Sequence, residues 1–155
     1  KIIEDQTFDA ERALYGSRDI MVNDCSFDGP AGPLSGIPII SQLEYEASRD
    51  QGAEGVLDAV IRGCDILSPE FGWSSRKIEM ENCDAESEYF MMRSFGLRFT
   101  NVRMKGKYSF QYIEDSVFED CTFDTKDAFW HAKNVIVRNC TVKADALALA
   151  HKQIA

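Results

Sequence analysis

The sequence predicts an all-β solenoid, a parallel β-helix with about seven coils of nineteen residues. Three observations carry this. Cys64, Cys83, Cys121 and Cys140 fall on one nineteen-residue grid, with Val102 in the vacant slot. The residue before the slot in the last four copies is Asn82, Asn101, Asp120 or Asn139. Apolar residues recur at fixed offsets around it. A fixed period of this length, in which each unit must bury its apolar face against its neighbours, marks a solenoid.

Each element can be placed from the Cys slot. Three residues before it stand Ile61, Met80, Phe99, Phe118 and Val137; five before it stand Ala59, Ile78, Leu97, Ser116 and Val135. Two after it come Ile66, Ala85, Met104, Phe123 and Val142. Period-two alternation means strand, so each coil has one strand before the slot and another after it. The inward parity flips between the two, so the chain must bend there. Asn and Asp tolerate left-handed backbone and bond local groups, which suits them to that bend. Stacked in register, they would also form a ladder of side-chain hydrogen bonds. A polar loop follows (Ser87-Glu88, Gly106-Lys107, Thr125-Lys126), then a third apolar stretch at Phe71-Gly72-Trp73, Phe90-Met91-Met92, Ser109-Phe110-Gln111 and Ala128-Phe129-Trp130. A leucine-rich repeat has a comparable period, but its leucine framework and helical return are absent.

The register reaches upstream to Cys25, with Ile20, Val22 and Phe27 in phase, and to Ile3, Asp5, Gln6 and Phe8. It breaks between Cys25 and Cys64, which are two periods plus one residue apart. Ser41-Gln-Leu-Glu44 reads as a capping box, Ile40 and Tyr45 have the spacing of a hydrophobic staple, and Gly52 is a stop, so a short helix is expected. Residues 144–155 are rich in Ala and helix formers, which predicts a helical cap over the open core; alternatively, Leu147 and Leu149 supply the last coil's third strand. The domain reading is one unit over 1–155: N-terminal coils at 1–31, a helical insert at 32–59, regular coils at 60–143 and a cap at 144–155.

A net charge of −9 argues against nucleic acid and against an anionic membrane surface as partners. No stretch is long and apolar enough to span a bilayer. Cysteines stacked in adjacent coils would have Cβ atoms about 4.8 Å apart, beyond the roughly 3.8 Å a disulfide prefers, so free buried thiols are expected. That favours a reducing, cytoplasmic setting. With no Cys-x-x-Cys and only two isolated His, neither a metal site nor a cofactor is expected.

Ser68-Pro-Glu-Phe-Gly-Trp-Ser74, Glu86-Ser-Glu-Tyr-Phe-Met91, Lys105-Gly-Lys-Tyr-Ser-Phe-Gln-Tyr112 and Thr122-Phe-Asp-Thr-Lys-Asp-Ala-Phe-Trp-His131 resemble an uncharacterised bacterial family of pectin-lyase-like β-helices. Lys1-Ile-Ile-Glu-Asp-Gln6, Leu14-Tyr-Gly16 and Cys25-Ser-Phe-Asp-Gly-Pro30 resemble that family's N-terminus. The resemblance implies right-handed coils and supplies no catalytic residues. It covers residues 1–31 and roughly 60–143. Residues 32–59 and 144–155 depart from it and read as replaced segments of an engineered or recombined solenoid, or as natural divergence.

The third strand holds the candidate site. One parity carries Tyr89, Arg93, Tyr108, Phe110, Tyr112, Phe129 and His131; the other carries Phe71, Trp73, Phe90, Met92, Gln111, Ala128 and Trp130. The second set lacks charge and is assigned to the core. The first then forms an outer aromatic strip, with Tyr89, Arg93, Tyr108, Tyr112 and His131 as ligand-binding candidates suited to sugar rings. The contrasting expectation is that Phe110 and Phe129 are buried and only the Tyr and His tips meet water. Enzymatic readings, a polysaccharide lyase or glycoside hydrolase, would need a carboxylate pair or a basic residue beside an acidic cluster. Asp124 with Asp127, Glu86 with Glu88, and the Arg93-Tyr112-His131 column are the available groups, none with motif-grade spacing. The leading reading is a non-catalytic structural solenoid, with carbohydrate binding or turnover as the alternative and self-association through the solenoid ends as a further expectation.

Overall fold

The computed structural model describes residues 2–8, 18–28, 57–67, 70–144, 146–147 and 152–154. Every regular element among them is a strand, and every pairing is parallel. The strands stack into three ladders. The first runs through Ile2–Glu4, Arg18–Asn23, Leu57–Arg62, the opening of Arg76–Phe90, the opening of Arg98–Ser109, Glu114–Glu119, Lys133–Arg138 and Lys152–Ile154. The second contains Thr7–Phe8, Ser26–Asp28, Asp65–Leu67, Thr122–Asp124 and Thr141–Lys143, joined through the middles of the two long strands. The third contains Glu70–Phe71, Asp127–Ala128 and Ala146–Leu147, joined through the ends of the long strands. From Leu57 onward the chain makes about five turns, and 2–8 and 18–28 add rungs of two more. The β-solenoid expected from the grid is the observed fold.

Register is nineteen residues on either side of the break, as in Met80 beside Phe99 and Phe118 beside Val137. Across the break, Ile20 pairs with Ala59 and Val22 with Ile61. No coil lies between them, which is why none could be found in the sequence. The helix expected at 41–51 lies outside the described residues.

The tail is a correction. Ala146–Leu147 pairs with Asp127–Ala128, and Lys152–Ile154 pairs with Lys133–Val135, both nineteen residues on. The predicted helical cap is therefore absent at these positions, and the alternative, a third strand through Leu147, is what forms. Helix propensity yields to the unpaired strand edge beneath it, which offers backbone partners that a helix would leave open.

The bends are columns of left-handed residues. Asp5, Asp24, Gly63, Asn82, Asn101, Asp120 and Asn139 have φ between 50° and 63°, as expected for the position before the slot. Three further columns share the geometry: Asp19, Lys77, Gly96, Asp115 and Asn134; Gly72, Met91, Phe110 and Phe129; and Ser74, Arg93, Tyr112 and His131. Side chains bridge the rungs, with Asn101 Nδ2 donating to Asn82 Oδ1 (2.8 Å), Asn139 Nδ2 to Asp120 Oδ1 (2.6 Å) and Asn134 Nδ2 to Asp115 Oδ1 (2.7 Å). A Cβ at Gly63 would meet the Asp24 carboxylate, which would have to swing aside.

Each corner also redirects the backbone. Asp24 N–H donates forward to Arg62 O, whereas Asp65 N–H, two residues beyond Gly63, donates back to Cys25 O. The N–H between is left pointing into the corner, and a side chain of the next coil accepts it. Cys25 N–H donates to Cys64 Sγ, Cys64 N–H to Cys83 Sγ and Cys121 N–H to Cys140 Sγ, each at 3.4 Å. At two other corner columns a serine does the same: Ser75 N–H to Ser94 Oγ (3.1 Å) and Leu97 N–H to Ser116 Oγ (3.2 Å). The thiol hydrogens are used as well, for example Cys83 Sγ to Glu81 O at 3.2 Å. All five cysteines are free, and they pack as the neighbours the grid placed them to be. Burial pushes the Cys121 thiol up to about 12, so it keeps its donor hydrogen at neutral pH.

The core between the ladders is rich in phenylalanine. Phe27, Phe71, Phe90, Phe99, Phe110, Phe118, Phe123 and Phe129 are all fully buried. Phe110 stacks on Phe129 at 5.3 Å and meets Phe118 edge-on at 4.7 Å. Every slot residue from Cys25 to Cys121 is buried, while Cys140 near the C-terminal end is half-exposed.

Replacing Cys83 by Val keeps the apolar volume but removes the acceptor for Cys64 N–H. Cys83→Val is expected to lower unfolding free energy by about 1–2 kcal/mol in urea titration; unchanged stability would mean the thiol serves only as packing.

Candidate functional site

The third ladder and the corner after it hold the strip residues. Strand alternation does not continue through this corner, because two left-handed residues separated by one break it. Phe90 and Met91 therefore both point inward, as do Ser109 and Phe110, and Ala128 and Phe129. The outer aromatic set predicted by parity is corrected here: Phe110 and Phe129 are core residues, as the contrasting expectation held. In the opposite set, Phe71, Phe90, Ala128 and Gln111 are buried, but Trp73 and Met92 are half-buried and Trp130 is 37% exposed. Gly72 completes the corner with φ 77°, and the Met91 thioether fills the space its Cβ would occupy.

The five remaining strip residues form two stacks. Tyr89 lies on Tyr108 with centroids 5.2 Å apart and planes 24° apart, and Trp73 meets Tyr89 edge-on at 6.0 Å. Trp73 Nε1 donates to Tyr89 O (3.2 Å), fixing the indole against this stack. Lys126 Nζ sits 6.0 Å from the Tyr108 ring. In the second stack the Arg93 guanidinium lies 5.1 Å from the Tyr112 centroid, and Tyr112 lies on His131 at 5.0 Å and 12°. Trp130 closes against His131 at 4.6 Å and 54°. Arg93, Tyr112 and His131 thus form the column their nineteen-residue spacing predicted.

Stacking uses the ring faces. A sugar packs its C–H groups on an exposed aromatic face, but Tyr112 is covered by Arg93 on one side and His131 on the other. The exposed Trp130–His131 corner is where aromatic surface reaches solvent. The candidate carboxylates are dispersed: Glu88 pairs with Lys107 Nζ (3.4 Å), while Asp124 and Glu86 are exposed on the second ladder. Among the described residues, no group of three or more His, Cys, Asp or Glu side chains could hold a metal ion.

A second feature escaped the sequence reading. The outer face of the second ladder forms a shallow open trough of about 640 Å³, lined by residues including Asp65, Leu67, Asp84, Glu86, Arg103, Lys105 and Asp124. Leu67 is 52% exposed at its side. The Asp84–Arg103 pair lies along it, with Nε on Oδ1 and Nη2 on Oδ2 (2.5 and 3.0 Å). These residues occupy the positions one and three after the slot, so the grid contained the signal. The hydrogen bonds from Arg103 hold the Asp84 carboxyl below the usual carboxylate range. The trough's central charges therefore neutralise each other.

The chain belongs to a family described as "Protein of unknown function (DUF3737)", which matches residues 57–155. The match runs through the tail. No curated protein and no solved structure matches the chain.

The depressed Asp84 pKa has a sign that can be measured. Its favourable contribution is present above the ordinary carboxylate pKa, near 3.9, and is lost as pH falls through the folded value. Carbonyl-detected NMR titration should place the Asp84 midpoint below that of free Asp, and Arg103→Gln should return it upward. A midpoint insensitive to Arg103→Gln would show that the pair does not persist in solution.

Proposed function

We propose that this chain is a non-catalytic structural solenoid whose task is carried by its shape. The supporting observation is that its outer functional groups are engaged along the stack. Arg62 pairs with Glu81, Asp84 with Arg103, Glu88 with Lys107, Glu114 with Lys133 and Glu119 with Arg138, each one coil apart. Tyr89, Tyr108, Tyr112 and His131 stack in the same direction. Exposed ion pairs contribute little individually, but repeated rung by rung they hold register and leave the groups committed. Electrostatic catalysis needs donors aimed instead at where transition-state charge develops. The free, buried thiols favour a reducing compartment and so a cytoplasmic location.

A second reading is carbohydrate binding at the strip, on a pectin-lyase-like framework, and the observation favouring it is the open Trp130–His131 corner. Its indole and imidazole planes make a tilted aromatic pocket edge beside Tyr112. Fold likeness does not assign that role.

Incubation with uronic-acid and neutral polysaccharides should give no new reducing ends and no unsaturated product. A glycan array should show at most weak binding, lost in the Tyr112→Ala/His131→Ala double variant. Turnover that disappears with His131→Ala would overturn the structural reading in favour of a lyase or glycosidase.

A further inference from the structure

The outer face of the first ladder carries a pattern that the stacking of the coils does not explain. Four residues before the slot, the outward row reads Ile2, Met21, Val60, Glu79, Arg98, Val117, Ile136, each in direct register with the next. Ile2 is 63% exposed, and Met21, Val60, Val117 and Ile136 are only half-buried. Apolar residues thus occupy both ends of the row, with one acid and one base, both exposed, at its centre. The parallel row two residues on includes Arg62, Glu81, Thr100 and Glu119. Parallel sheets are ordinarily covered on both faces, and among the described residues none covers the outer side of this one.

We propose that this face docks a second copy of the same chain, as an isologous dimer with the two solenoid axes antiparallel. A two-fold axis along the strand direction, between the coils of Glu79 and Arg98, makes the face self-complementary. Glu79 then meets Arg98 of the second copy, twice. Val60 meets Val117 and Met21 meets Ile136, so apolar covers apolar. In the neighbouring row Arg62 meets Glu119. Closed isologous pairing is the commonest symmetry among soluble oligomers, and it requires self-complementarity of this kind.

The pattern also rejects a neighbouring register. An axis through the coil of Arg98 would face Arg98 with Arg98, Glu81 with Glu119 and Arg62 with Arg138, all like charges. Discrimination by such repulsion is how charged rows specify pairing. Size sets the strength. Six rung spacings of about 4.8 Å and strands about 20 Å long bury roughly 600 Å² per copy, at the low end of specific interfaces. The dimer is therefore weak, with a Kd on the order of 10 μM.

Arg62 and Glu119 make the decisive pair, each added in trans to an exposed ion pair it already makes in its own chain, Arg62 with Glu81 (3.2 Å) and Glu119 with Arg138 (3.4 Å). They lie three coils, about 14 Å, apart within one chain, too far for strong coupling in the monomer across an exposed face. Sedimentation velocity on the full chain, from about 1 to 300 μM, should show a monomer–dimer equilibrium. Arg62→Glu and Glu119→Arg should each raise Kd by about tenfold, and the double variant should return it to within about threefold of the parent. Thermal unfolding of the same proteins, at concentrations where they are monomeric, should show additive effects, which separates trans pairing from a fold defect. A chain that stays monomeric throughout, or a double variant weaker than either single one, would overturn the proposal.

Discussion

The backbone N–H that follows each left-handed corner is the group on which the rest of this structure depends. A buried amide without a partner costs about 1–3 kcal/mol, and a solenoid with several corners per coil would accumulate that cost at every rung. At five corners a side chain of the next coil accepts the bond: sulfur at Cys64, Cys83 and Cys140, oxygen at Ser94 and Ser116. The acceptor must be short, compatible with an apolar core and able to give its own hydrogen to a carbonyl. Cysteine and serine meet all three conditions. The cysteine column is therefore a hydrogen-bonding device as well as a packing one. Val102 interrupts it and keeps only the packing role.

This requirement explains why so much of the fold was legible. Along the slot column the acceptor recurs at one spacing, so Cys64, Cys83, Cys121 and Cys140 announce the period. The Asn and Asp residues beside them announce the bend, since their side chains bridge rungs while their backbones take positive φ. Positions inside straight strands, such as Met80, Phe99 and Phe118, followed from alternation alone.

What could not be read has equally local causes. The third stretch was assigned by parity, but the left-handed pair at Phe110 and Tyr112 turns two consecutive side chains the same way, and bulky residues give no notice of such backbone. Phe110 and Phe129 consequently moved from a supposed binding surface into the core. The tail was misread as helix because Ala and Leu speak first for propensity, whereas Ala146 and Leu147 answer to the strand edge at Asp127–Ala128. Of the candidate site, the Arg93-Tyr112-His131 column was visible in spacing; the consumption of its ring faces by stacking was not. The second-ladder trough was missed because no single residue in it is unusual.

The corner geometry itself can be tested at one exposed position. Lys77 has φ 53° in a column whose next member is Gly96. An ordinary strand residue replaced by glycine would lose roughly 0.5–1 kcal/mol of stability, whereas a left-handed one is relieved of about 1 kcal/mol of steric strain. Urea unfolding of Lys77→Gly beside Lys77→Ala should therefore show the glycine variant more stable than the alanine variant by about 1 kcal/mol. A glycine variant less stable than the alanine variant would place Lys77 in extended backbone and contradict the left-handed corner on which this account of the solenoid stands.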